Sequence, residues 1–185
     1  MRIIAGEYRG TALATVGRGD TAAHLRPTTD RVRESLFSVL THHDVIAGAR
    51  VLDVFAGTGA LGLEALSRGA TRAAFVDDGR VAQGLIRQNI AKLRVQDRTE
   101  TIRRNALHLP ARDGMPFDLV FVDPPYGKGF GAKALAVLET GGWLSPEAFI
   151  VWEEAQEMPA PSGFEVVDRR RYGDTHITLL SKTTP

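Results

Sequence analysis

The sequence predicts an α/β fold: a mostly parallel sheet flanked by helices, with a small N-terminal β-hairpin extension. Three observations predict it. Short apolar runs alternate with helical patterns from Arg50 onward. A glycine-rich turn follows the first run and opens a helix. Two further runs, Phe164 to Arg171 and Thr175 to Ser181, read as a terminal strand pair.

In order along the chain, Arg2-Ile3-Ile4-Ala5, a turn near Gly6 and Gly10, and Thr11 to Val16 read as the hairpin, within an extension spanning residues 1–25. The main domain, 26–185, begins with Arg26-Pro27-Thr28-Thr29-Asp30, which supplies helix-start chemistry, and Val32, Leu36, Val39 and Leu40 share one helical face. Val51 to Phe55 is a strand, Leu61 to Arg68 a helix, and Gly69 its stop. Ala73 to Val76, Thr99 to Arg103, Phe117 to Val122 and Phe149 to Trp152 are further strands, with helices over Gly79 to Leu93 and Lys133 to Leu138. In such a sheet, ligands bind beyond the carboxyl ends of the strands.

Composition narrows the chemistry. The 185 residues fit one domain, and 43% hydrophobic with 24% charged residues is an ordinary globular balance. No apolar run approaches the ~20 residues that span a bilayer, and Met1 to Gly10 lacks the hydrophobic stretch of a secretion signal. A cytoplasmic protein without a membrane partner is expected. Absence of cysteine removes disulfides, thiolate metal sites and thiol nucleophiles, and no metal cluster is visible. The net charge of +1 hides an asymmetry: eight basic residues lie between Arg80 and Arg112, while Glu139 to Glu157 is acidic.

Gly57-Thr58-Gly59-Ala60-Leu61-Gly62 has the G-x-G-x-x-G spacing that lets backbone approach a nucleotide-containing cofactor. Asp77 ends the next strand, where a carboxylate accepts hydrogen bonds from ribose hydroxyls, and Asp78 follows it. A nicotinamide cofactor would ask for the same features. Asp53 tips the choice to S-adenosylmethionine, since its charge suits an amino group and a sulfonium and opposes a pyrophosphate. Asn105-Ala106, after the third strand, occupies the place where an adenine is read, although Asn105 fits an ordinary turn equally well. Asp53, Phe55, Gly57, Thr58, Gly59, Asp77, Asp78, Asn105 and Ala106 form the candidate cofactor set.

Asp123-Pro124-Pro125-Tyr126 directly follows the strand ending at Val122, so it emerges at the same sheet edge as the glycine loop. An aromatic amine is a poor nucleophile because its lone pair is delocalised into the ring. If the Asp123 carboxylate and the Pro124 carbonyl each accept one N–H, the nitrogen is drawn toward tetrahedral geometry with its lone pair aimed at a methyl group. The prolines fix the backbone and bring no competing N–H. Tyr126 is placed to stack on a flipped base and Pro125 to line its pocket. Gly127-Lys128-Gly129 is a loop that could close over substrate, with Lys128 toward the nucleic acid. Without a thiol to add to a pyrimidine ring, carbon methylation is unavailable and the acceptor is nitrogen.

Together, Arg2 to Gly6, Arg26 to Glu34, Asp53 to Gly69 and Asp123 to Tyr126 resemble the RsmD family of 16S ribosomal RNA guanine-N2 methyltransferases, over essentially the whole chain. The resemblance implies a Rossmann-like methyltransferase fold with seven strands, a hairpin that helps hold RNA, S-adenosylmethionine as donor, and as target one guanine, number 966, in the small (30S) ribosomal subunit. A monomer is expected. At Asp77 the chain departs from the family, where a glutamate commonly takes the ribose. Arg26, Arg31 and Arg33 are the candidates for phosphate contacts. The alternatives are an amino-methyltransferase of adenine or cytosine in DNA, a nicotinamide-dependent redox protein, and an RNA-binding assembly factor with a vestigial pocket.

Overall fold

The computed structural model describes residues 1–16 and 29–183. Seven strands form one sheet: β1 (Arg50–Val54), β2 (Arg72–Val76), β3 (Thr99–Ile102), β4 (Phe117–Val122), β5 (Leu144–Glu154), β6 (Phe164–Tyr172) and β7 (Thr175–Lys182). Their spatial order is β3-β2-β1-β4-β5-β7-β6. The pairs β2–β3, β1–β2, β1–β4 and β4–β5 are parallel, whereas β7 runs antiparallel to both β5 and β6. The order reverses between β1 and β4, and a crevice opens at such a switch point.

Helix α1 (Asp30–His42) starts where the Thr29 hydroxyl accepts from the Val32 N–H at 3.3 Å. Its inward face carries Arg33, Leu36, Phe37 and Leu40. Helices α2 (Ala60–Ser67) and α3 (Arg80–Leu93) lie on the same side of the sheet, and α4 (Phe130–Thr140) on the other. Strands β1 and β4 are buried on both faces, which is why they read as unbroken apolar runs. No helix among the described residues is long and apolar enough to cross a membrane.

One boundary needs correction. Strand β5 begins five residues before the predicted Phe149, because a shift in its register against β4 carries the chain through the polar Ser145-Pro146-Glu147 segment. The N-terminal hairpin is short: an antiparallel bridge between Arg2 and Ala12, with the Ile3 N–H donating to the Thr11 carbonyl at 3.0 Å and the Leu13 N–H to the Met1 carbonyl at 3.2 Å. Gly6 and Gly10, at φ +82° and +85°, turn the chain back, but the N–H groups of Ile4 and Ala5 donate to the Glu64 carboxylate on α2 instead of across a ladder. Ile3 and Leu13 are buried among α1 and α2 residues.

Candidate active site

The loop between β1 and α2 is bound to the end of β2 from below. Asp77 accepts from the Gly57 N–H through Oδ2 at 3.0 Å and from the Gly79 N–H through Oδ1 at 2.8 Å, so one carboxylate fixes the glycine loop and the start of α3. Gly57, Gly59 and, unusually for a bulky side chain, Phe55 adopt positive φ of 58°, 78° and 60°. Such strain persists only where the surroundings over-determine the backbone, and it clusters at ligand sites. Glycine is also required at Gly62, where a Cβ would lie 2.5 Å from Cε1 of Phe75.

Beyond the strand ends lies a cleft of about 140 Å³. It brings together six predicted residues: Phe55, Asp77, Asp78, Asn105, Ala106 and Pro125. Val76, Arg104, Leu107 and Phe130 complete its wall. Asn105 lines the cleft while its amide oxygen accepts from the Leu107 N–H at 2.9 Å, so it is a turn residue as well, and what it offers a ligand is its amide N–H₂. Burial, only partly offset by the two N–H donors, raises the Asp77 carboxyl above its ordinary range.

Asp123 emerges from β4 beside β1, with its N–H directed at the Val54 carbonyl (3.4 Å). Its carboxyl is raised well above the ordinary value, first by burial and then by the charges of Glu153, Asp53 and Glu154. Pro124 is buried and Pro125 exposed. The Tyr126 hydroxyl donates to Glu153 Oε1 at 2.5 Å and lies 3.4 Å from Thr175 Oγ1, which pins the ring to β5 and β7. Lys128 is exposed, its ammonium 5.7 Å from the centroid of the Phe130 ring.

Other predicted residues stand elsewhere. Asp53 is 2% exposed and accepts from the Gly62 N–H through Oδ2 at 2.9 Å, so it braces the loop from beneath instead of facing a donor's amino group. The Thr58 hydroxyl points to the Met1 sulfur, away from the cleft. Arg33 cannot be a phosphate contact. It is fully buried, its Nη2 donating at 2.7 Å to both the Arg2 carbonyl and Asp30 Oδ1, with Nη1 3.9 Å from Glu64. Arg31 is exposed and lines a separate groove of about 250 Å³ with Arg2 and Arg9. Although larger, that groove lies between the N-terminal segment and α1, away from the strand ends. Arg26 lies outside the described residues.

Sequence reasoning missed Glu153 and Glu154. Their signal was available: they directly follow the apolar run of β5, the parallel neighbour of β4, and so reach the same edge as Asp123. It also missed Asn89 and Glu64, buried polar residues whose partners lie far off in sequence.

The family described as Conserved hypothetical protein 95 matches residues 1–181 of the chain. The chain is 44% identical to Ribosomal RNA small subunit methyltransferase D of Escherichia coli over 163 residues, 88% of this chain and 78% of that relative. It is 36% identical to the Haemophilus influenzae protein of the same name, over 86% of this chain and 81% of that relative. Among solved structures, the yhhF protein of Escherichia coli superposes with a TM-score of 0.86 at 38% identity, covering 100% of this chain and 99% of the other.

Proposed function

The chain belongs to the RsmD family of ribosomal RNA methyltransferases, and from that premise we propose that it transfers a methyl group from S-adenosylmethionine to the exocyclic N2 amine of one guanine, number 966, in 16S RNA of the small subunit. One observation carries the proposal. The Asp123-to-Tyr126 segment leaves β4 beside the glycine loop, and its Pro125 lines the same cleft as Asp77 and Asp78.

The residues fit this donor. Asp77 and Asp78 present carboxylates to ribose hydroxyls, and Val76, Ala106 and Leu107 give an apolar wall for an adenine. The carboxylates of Asp77, Asp123, Glu153 and Glu154 around the strand ends favour a cationic sulfonium and repel the pyrophosphate of a nicotinamide cofactor. When bound, S-adenosylmethionine supplies an electrophilic methyl group.

The chain's own residues do the rest. Asp123 and the Pro124 carbonyl accept the two N–H bonds of the amine and orient its lone pair. As the nitrogen gains positive charge, the surrounding carboxylates stabilise it, and Asp123, whose raised pKa makes it a stronger base, receives the released proton. Tyr126, held by Glu153, supports the base face. Arg31 and Lys128 are exposed and available to phosphates, and so is the Arg2–Arg9 groove of the N-terminal segment.

The test is methyl transfer from labelled donor to undermethylated small subunits, to free 16S RNA and to duplex DNA, followed by nucleoside analysis. Label in N2-methylguanosine from subunits is expected. Label in adenine or cytosine of DNA, or none in guanine, overturns the proposal.

A further inference from the structure

Besides the burial of Ile3 and Leu13, residues 1–14 are attached by polar contacts to the helices that carry the donor loop. Glu64 on α2 is fully buried and accepts from the Ile4 and Ala5 N–H groups at 2.8 and 3.1 Å. The Ser67 hydroxyl accepts from the Tyr8 N–H at 3.0 Å and donates to the Ala5 carbonyl at 2.6 Å. Gly6 passes so close that a Cβ there would sit 1.8 Å from the Ser67 carbonyl oxygen.

Asn89 on α3 continues this attachment into the glycine loop. It is fully buried. Its Oδ1 accepts from the Ala14 N–H at 2.7 Å, and its Nδ2 donates to the Ala14 carbonyl at 3.1 Å and to the Thr58 carbonyl at 2.9 Å. The Thr58 carbonyl belongs to the peptide that joins Thr58 to Gly59, whose left-handed conformation starts α2. Its orientation sets how the loop meets a ligand. The Thr58 hydroxyl adds a contact to the Met1 sulfur at 3.5 Å. One side of this loop therefore rests on Asp77 and Asp53, and the other on the N-terminal segment through Asn89.

We infer that Asn89 is a positioning residue for the glycine loop, and that through it the N-terminal segment is a working part of the donor site. The inference rests on the methyltransferase reading above and assigns a second task to a segment otherwise read as an RNA contact. An amide is the side chain that suits this place, because it must donate to two carbonyls and accept from one N–H at once. A buried carbonyl that loses its donor bears the cost of desolvation, so the 58–59 peptide is free to turn when Asn89 or the segment leaves. Coupling of this kind is reciprocal: a ligand that selects the ordered loop must also tighten the segment.

The test uses S-adenosylhomocysteine, the unreactive product, as ligand. Amide hydrogen exchange at Ala14 in the full-length wild-type protein is measured with and without saturating ligand, and is expected to slow by about tenfold although Ala14 does not line the cleft. By calorimetry, Asn89→Ala is expected to bind the ligand about tenfold more weakly, the effect of one buried hydrogen bond, and to lose the protection at Ala14. Gly6→Ala, which pushes the segment off Ser67 without touching the loop, should weaken binding in the same direction. If the wild-type protein fails to bind the ligand at all, the methyltransferase reading and this inference fall together. Binding with no protection of Ala14, or an Asn89→Ala variant that binds as tightly as wild type, overturns this inference alone.

Discussion

The Tyr126 hydroxyl donates to Glu153 Oε1 across 2.5 Å, tying the last residue of the Asp-Pro-Pro-Tyr segment to the end of β5. Burial and the neighbouring Glu153 carboxylate push the tyrosine pKa up, so the proton stays on the phenol and the bond is charge-assisted. The ring is thereby fixed before a base arrives. Tyr126→Phe keeps the stacking face and loses the anchor, and it should lower kcat by about tenfold, the worth of one such bond. Tyr126→Ala removes the stacking face too, and should raise KM for the RNA by a further tenfold or so, since a stacked base is worth ~1–3 kcal/mol. Steady-state kinetics of the two variants decide it, and an unchanged kcat in Tyr126→Phe contradicts the anchor.

Asp123 works as an acceptor when ionised. Burial, then the charges of Glu153, Asp53 and Glu154, hold its pKa above the ordinary 3.8, so the ionised fraction grows through a limb displaced to higher pH. The rate of transfer should rise along that limb to a plateau. Glu153→Gln removes the like charge that acts most strongly on Asp123 and should shift the limb to lower pH. Asp123→Asn keeps the volume but not the charge, and should cost ~10²–10⁴ in kcat while leaving donor binding by calorimetry intact. A wild-type limb at the ordinary carboxylate pKa would be inconsistent with the environment described.

How much of this was legible in the sequence follows from where each signal resides. Strands β1 and β4 announce themselves because burial on both faces makes them continuous apolar runs. The glycine loop and the Asp123 segment announce themselves because a turn needs particular residues at fixed offsets. The first half of β5 was invisible, since Ser145-Pro146-Glu147 breaks the apolar pattern while the backbone still pairs. Arg33 misled for a related reason. At Arg33 an arginine among apolar helix positions looks like a solvated charge until Asp30, Glu64 and the Arg2 carbonyl are seen to enclose it. Asn89 lies 75 residues from Ala14 and 31 from Thr58, and no local pattern records a hydrogen bond across such distances.

Arg33 and Arg31 are two residues apart and should behave in opposite ways. Arg33 is fully buried and tied to Asp30 and the Arg2 carbonyl. Arg31 is exposed beside Arg2 and Arg9. Arg33→Met should lower stability without changing the salt dependence of subunit binding, because a residue out of reach of phosphate releases no counterion. Arg31→Ala should leave stability within ~0.5 kcal/mol and reduce the salt slope by roughly one phosphate equivalent. Glu64→Ala should be the most damaging of the three, at ~3–5 kcal/mol, since it takes the acceptor from the Ile4 and Ala5 N–H groups, breaks the 2.7 Å pair with Arg68 and leaves Arg33 with Asp30 as its one carboxylate partner among the described residues. Denaturant melts and binding titrations at several salt concentrations separate these outcomes. A salt slope altered by Arg33→Met would restore it to the RNA surface.

Asp53 should make the protein less stable as pH rises. Burial raises its carboxyl from 3.8 to about 8, the Gly62 N–H only partly opposing this and the Asp77 charge adding to it. Between those two values the folded protein holds a proton that the unfolded chain has released. The favourable contribution is therefore complete below 3.8 and is lost as pH climbs toward 8. Asp53→Asn keeps an oxygen for the Gly62 N–H and cannot ionise. Relative to wild type, the variant should gain nothing near pH 4 and gain progressively up to about pH 8, by an amount on the order of a few kcal/mol. Asp77, Asp123 and Glu154 are displaced in the same direction but are present in both proteins, so their effects largely cancel in the difference. Unfolding free energies of the pair at intervals across this range give the result, and a difference that does not vary with pH would mean that Asp53 is already ionised in the folded protein at neutral pH.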